Sequence, residues 1–267
     1  MLLWRVSAIP MPSLWPREHG ASLQLAFPVV SACVLARGAP ASVALGLAAG
    51  FAFVAHEPLL LLSGGRGARK AEVSRRPALA RLALLLALAG VAALVALWLG
   101  VPGAWPLLTP PTLLGAVAVG SALRGRERNV FAELLVAVAL SSLALPVAVF
   151  GGAPLVASGS LAGVWVVGFA VATVAARALV VQKKDAGRGL RLALVVASLT
   201  SVALAGAALA QVAPWRVAVA PLPLVVVALL LAVFPPPPQR MTAVGLGMAG
   251  ACFVTLALAL SALASAS

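Results

Sequence analysis

Apolar runs of about 17–25 residues recur along the whole chain, and short segments of Pro, Gly, Lys and Arg divide them. No stretch alternates apolar and polar positions as a membrane β-barrel strand does. Lipid offers no partner to backbone N–H and C=O groups, so each run is expected to close its own hydrogen bonds as a helix. The pattern predicts an all-α polytopic membrane protein of about nine transmembrane helices, at approximately 20–36, 40–62, 78–100, 103–123, 130–150, 154–182, 190–211, 214–234 and 241–264. Residues 1–19 form an N-terminal segment, and residues 20–267 read as a single transmembrane domain. Short connections at Arg37 to Ala39, Val101-Pro102 and Gly151 to Ala153 predict tight antiparallel hairpins.

Assigning the connections alternately to two sides separates the charges. Sixteen Lys and Arg fall on the side of the N-terminus and two, Arg37 and Arg216, on the other, with Arg177 inside the sixth helix. The excess of cations on cytoplasmic loops then predicts a cytoplasmic N-terminus and an external C-terminus. Two basic connections, residues 63–77 (SGGRGARKAEVSRRP) and 183–189 (KKDAGRG), read as flexible loops suited to an anionic ligand or to lipid headgroups. Pro235 to Pro238 predicts a stiff extended connector.

Composition agrees: 63% of the residues are hydrophobic, 9% are charged and the mean hydropathy is +1.12. A soluble fold has too little interior to cover so much apolar surface. The formal charge of +13 does not indicate nucleic acid, because the cations sit between apolar runs and form no stripe with exposed aromatics. Cys33 and Cys252 lie inside separate apolar runs and read as packing residues. Residues 1–19 lack the apolar core and small-residue cleavage site of a signal peptide.

Ionisable groups inside spans are costly and usually face the bundle interior or a water-filled cavity. Here they are Glu18 and His19 beside Arg17 at the start of helix 1, His56 and Glu57 in helix 2, Glu133 in helix 5 and Arg177 in helix 6. At about 1.5 Å of rise per residue they share one depth, in the cytoplasmic third. The expectation is one cytoplasm-facing cavity in which Arg177 pairs with a carboxylate. Plainer readings stand beside it: Pro16 to His19 as an interfacial anchor with Trp15 in the aromatic belt, Glu133 as a partner of its helix dipole, and Arg177 snorkelling to headgroups. His19, His56 and a glutamate are also a conceivable metal set, although their spacing matches no known zinc motif.

The segment Pro16-Arg17-Glu18-His19-Gly20-Ala21 resembles the opening signature of the YwiC-like family of bacterial integral membrane proteins. The Arg-Glu-Arg-Asn segment before Glu133 and the stretch from Trp165 to Arg177 are similar to that family more loosely. The resemblance implies a multi-pass protein of the bacterial inner membrane without an assigned activity. More distantly, the nine-helix plan with basic connections after helices 2 and 6 resembles UbiA-type prenyltransferases, which bind magnesium and a prenyl diphosphate at Asp-rich motifs. The positions matching those motifs are His56-Glu57, Arg75-Arg76-Pro77 and Lys183-Lys184-Asp185, with single carboxylates where that family has paired aspartates.

The resulting expectation is a membrane protein whose polar cavity binds an anionic lipid or an isoprenoid ligand such as a prenyl diphosphate, with Arg17, Glu18, His19, His56, Arg76, Glu133, Arg177, Lys183 and Lys184 in contact with it. Under a prenyltransferase-like reading, Glu57 and Asp185 would be catalytic and magnesium the cofactor. A small-molecule transporter, with helices interrupted at Pro28, Pro146, Pro221 and Pro223, and a scaffold without chemistry are the other classes.

Overall fold

The computed structural model describes residues 19–65, 68–124, 130–182, 215–234, 236–237 and 241–264, with scattered positions between 187 and 201. Most of the expected seventh span, 190–211, and Pro235 and Pro238 of the polyproline connector lie outside the described residues. So do Arg17, Glu18, Lys183, Lys184 and Asp185. Among the described residues all regular structure is helical. Six helices are long and apolar enough to cross a membrane, and Gly20–Leu35 and Arg216–Leu231 are shorter apolar segments.

Helix α1 (His19–Leu35) leads through a three-residue turn into α2 (Pro40–Leu62). The turn is a Schellman cap: Arg37 N–H donates to Val34 C=O at 2.9 Å and Gly38 N–H to Cys33 C=O at 2.8 Å. Its left-handed position is filled by Arg37, at φ 55°. Pro40, at the first position of α2, then starts the next helix with a residue that lacks only a spare N–H. The same cap closes α2 at Gly64.

The connection expected to be a flexible loop over 63–77 is largely helical. A short helix α3 (Ala68–Val73) precedes α4 (Arg75–Leu99), which begins three residues before its expected start. Six charged or small residues carry no apolar periodicity, so α3 leaves no signal in the hydropathy pattern. A turn and a 3₁₀ segment (Trp105–Leu108) lead into α5 (Thr109–Leu123).

Prolines break two of the expected spans. Residues 130–150 form α6 (Val130–Ser142) and α7 (Ala144–Phe150), because Pro146 has no N–H for the carbonyl of Ser142 and its ring crowds that turn. After α8 (Leu155–Gln182), Pro221 similarly separates α9 (Trp215–Val219) from α10 (Leu222–Val233), and α11 (Met241–Ala264) follows.

One apolar core joins α1, α2, α6 to α8 and α9 to α11. Helix α8 is its axis, and Trp165 and Leu161 are fully buried. Helix α1 crosses α8 antiparallel, since Gln24 meets Thr173 while Ser31 meets Trp165. Helix α10 runs parallel to α8: a side chain at Gly168 would strike Leu224, and further along Val171 and Ala175 pack with Val225 and Ala228. Thus α8 ends and α10 begins at opposite ends of the bundle. Helix α4 packs mainly on α2 and turns large apolar side chains outward, among them Leu94 at 67% and Trp98 at 83% exposure. With Trp105 it places exposed indoles at the end of the bundle shared by Arg37, as an interfacial aromatic belt requires.

Candidate functional site

The opposite end, where α1 begins, α2 ends, α6 begins and α8 ends, collects the polar side chains of the bundle. Glu133 lies in the first turn of α6 and Arg177 five residues before the end of α8. They meet: Arg177 Nη1 stands 3.1 Å from Glu133 Oε1, with side chains 23% and 33% exposed. The expected pairing of Arg177 with a carboxylate is therefore present. It holds two membrane helices together where isolated charges would be costly.

One turn further in, Gln24 Nε2 donates to Thr173 Oγ1 at 2.9 Å and ties α1 to the same face of α8. Thr173 sits four residues before Arg177, which on a helix places both on one side. Two turns deeper again the face becomes aromatic. Trp165 stacks on Phe169 with ring centroids 5.4 Å apart, and Phe27 of α1 lies 5.7 Å from Trp165. Trp165 Nε1 donates to Ser31 Oγ at 2.8 Å, and that hydroxyl donates to Pro28 C=O at 2.9 Å. Residues 165, 169, 173 and 177 therefore form one stripe that grades from sealed aromatic core to a part-exposed ion pair.

His56 and Glu57 stand on α2 near the same end, with Glu57 5% exposed and both side chains engaged. Helix α2 packs chiefly on α4 and α7, and both α1 and α7 touch α2 as well as α6 and α8. The structure thus joins Glu133 to Arg177 and Gln24 to Thr173, while Glu57 is buried on α2 at the same end of the bundle. Arg76 is exposed on the first turn of α4. His19 opens α1. Among the described residues no three of His, Cys, Asp and Glu gather as a metal cluster.

Sequence reasoning overlooked Thr173. A hydroxyl among apolar residues is unremarkable by itself, and its spacing of four from Arg177 was the available signal.

The fold and its outward apolar faces define a multi-pass helical membrane protein with a polar cluster at one end of the bundle. Residues 15–149, just over half of the 267, match the model of the YwiC-like protein family, and the chain belongs to that family. No curated protein and no solved structure matches the chain.

Proposed function

We propose that this protein is a nine-span protein of the bacterial inner membrane, with its N-terminus in the cytoplasm, which binds the phosphorylated headgroup of an anionic lipid or prenyl diphosphate-like amphiphile. The binding place is the polar end of the bundle around Arg177. The observation that carries this reading is the Arg177–Glu133 ion pair, held part-exposed between two membrane helices. A guanidinium offers several donors in one plane, which suits a phosphate group, and the contact of Nη1 with Glu133 Oε1 orients it. Arg17, Glu18, His19, His56, Arg76, Lys183 and Lys184 are assigned to the surroundings of the same headgroup, where the arginine and lysine charges draw an anion to the site.

The sealed aromatic layer of Phe27, Trp165 and Phe169 beneath the polar cluster supports binding at one side of the membrane over passage across it. The prenyltransferase-like form of the reading assigns Glu57 and Asp185 to catalysis with magnesium. The burial of Glu57 inside α2 is the feature that favours it, because a buried carboxylate is retained only at a cost.

The test is thermal stabilisation of the detergent-purified protein by anionic phospholipids and isoprenyl diphosphates, with and without magnesium. A ligand that binds the folded state raises its stability by mass action. Stabilisation lost in Arg177→Gln supports the binding site, and magnesium-dependent turnover lost in Glu57→Gln supports the enzyme. Stabilisation unchanged in Arg177→Gln sinks the site.

A further inference from the structure

Gln24 carries two acceptor oxygens that the bundle leaves under-supplied with donors. Pro28 stands four residues later on α1 and has no N–H, so the backbone carbonyl of Gln24 lacks its α-helical donor. The side-chain amide of Gln24 is given to Thr173 Oγ1 at 2.9 Å, and Oε1 has no other partner among the described residues. The Thr173 hydroxyl proton answers one of these acceptors at most. The nearest deeper donor, the Trp165 indole N–H, is already committed to Ser31 Oγ, and the Ser31 hydrogen to the Pro28 carbonyl.

These oxygens lie on a part-buried residue facing α8, four residues inward of Arg177, or about 6 Å along the helix axis. Within a membrane an acceptor without a donor is unfavourable. The local chemistry therefore has two levels: cationic donors at Arg177 and surplus acceptors at Gln24. A phosphate satisfies the outer level only, because its own oxygens accept.

Resting on the binding reading above, we propose that the ligand is a phosphate amphiphile bearing a free hydroxyl between its phosphate and its apolar chain, as lysophospholipids do. The phosphate pairs with Arg177 and the hydroxyl donates to a Gln24 oxygen, with the chain continuing toward the lipid. A prenyl diphosphate, which has no such donor, meets only the outer level. Gln24 and Thr173 thus set specificity, while Arg177 supplies attraction.

The experiment compares oleoyl lysophosphatidate with its 2-O-methyl ether, which differ in that one donor, by the concentration dependence of thermal stabilisation. Wild-type protein is expected to bind the hydroxyl form about tenfold more tightly, as one hydrogen bond to an otherwise unsatisfied acceptor implies. Gln24→Leu is expected to bind both probes alike, and Arg177→Gln to lose both. Equal binding of the two probes by the wild type overturns the hydroxyl assignment and leaves the headgroup site standing. Failure of both probes to bind, or binding that survives Arg177→Gln, overturns the site and this inference with it. The two-probe comparison on the wild type decides the matter even where Gln24→Leu does not fold.

Discussion

Trp165 of α8 donates its indole N–H to Ser31 of α1 at 2.8 Å, and both residues are fully buried. Ser31 in turn donates to Pro28, whose carbonyl lies at the proline interruption of its own helix. The pair registers α1 against α8, and that register aligns Gln24 with Thr173 one end of the helix away. Ser31→Ala leaves the indole N–H without an acceptor in an apolar core and is expected to cost about 1–3 kcal/mol. Trp165→Phe added to Ser31→Ala is expected to cost less than Trp165→Phe alone. A double-mutant cycle by reversible unfolding in bicelles measures the difference, and strict additivity would show that the bond contributes nothing.

Breaking the Arg177–Glu133 pair from one side leaves a charge in the membrane. Each side chain keeps partial access to solvent, so the cost falls below that of a fully buried pair, at about 1–2 kcal/mol. The combined Glu133→Gln, Arg177→Gln variant is expected to melt above Glu133→Gln alone, since the guanidinium that loses its Glu133 carboxylate is removed with it. Melting temperatures of the three variants in one detergent test this order.

Close packing makes some glycines replaceable and others not. A Cβ on Gly151 would stand 2.5 Å from Ala36 Cβ and 2.9 Å from Ser42 Cβ, atoms that no rotamer change moves aside. Gly151→Ala is expected to destabilise by about 1–3 kcal/mol through overpacking. Gly50 in α2 faces open space, so Gly50→Ala is expected to stabilise by up to about 1 kcal/mol through helix propensity alone. Opposite shifts in melting temperature would confirm that contact, not glycine content, decides.

Arg37 holds a left-handed conformation at φ 55° that glycine adopts without strain. Arg37→Gly is expected to raise stability by about 1 kcal/mol, the usual penalty for an L-residue there. Gly152→Ala, at φ 86° in the matching cap before α8, is expected to lower it by a similar amount. Thermal melts of the two variants check the signs.

The proposed orientation follows from charge alone and has a direct test. A periplasm-dependent phosphatase fused after Ala264 is expected to be active, and a fluorescent protein at the same place dark. The reverse pattern would invert the assignment of the polar end to the cytoplasm.

Much of the architecture was legible before any coordinates. The limits of α2 follow from Pro40 at its start and Ser63-Gly64 at its end, and the observed helix Pro40–Leu62 coincides with the expected one. The positions of α8 and α11 were equally plain, because Pro154, the Gln182-Lys183 boundary and the polyproline run punctuate long apolar stretches. Helix α3 was illegible because six residues hold no period, whereas Pro146 and Pro221 marked candidate interruptions; only the structure shows that the helix breaks near these two and runs unbroken through Pro28.

For the site, sequence supplied the residue types and their common depth but not their neighbours. Arg177 had three carboxylates to choose from at that depth, Glu18, Glu57 and Glu133, and the fold selected Glu133 by packing α6 on α8. Gln24 and Thr173 found one another only because α1 crosses α8 antiparallel. The physical reason is that helix formation in lipid is dictated locally, by backbone groups that have no other partner, whereas the choice of helix faces is not. Apolar residues cover nearly every face of these helices, so no amphipathic stripe announces which side turns inward. That choice rests on shape, at Gly46, Gly151 and Gly168, and on a few polar bonds such as Trp165 to Ser31, which only the tertiary structure brings together.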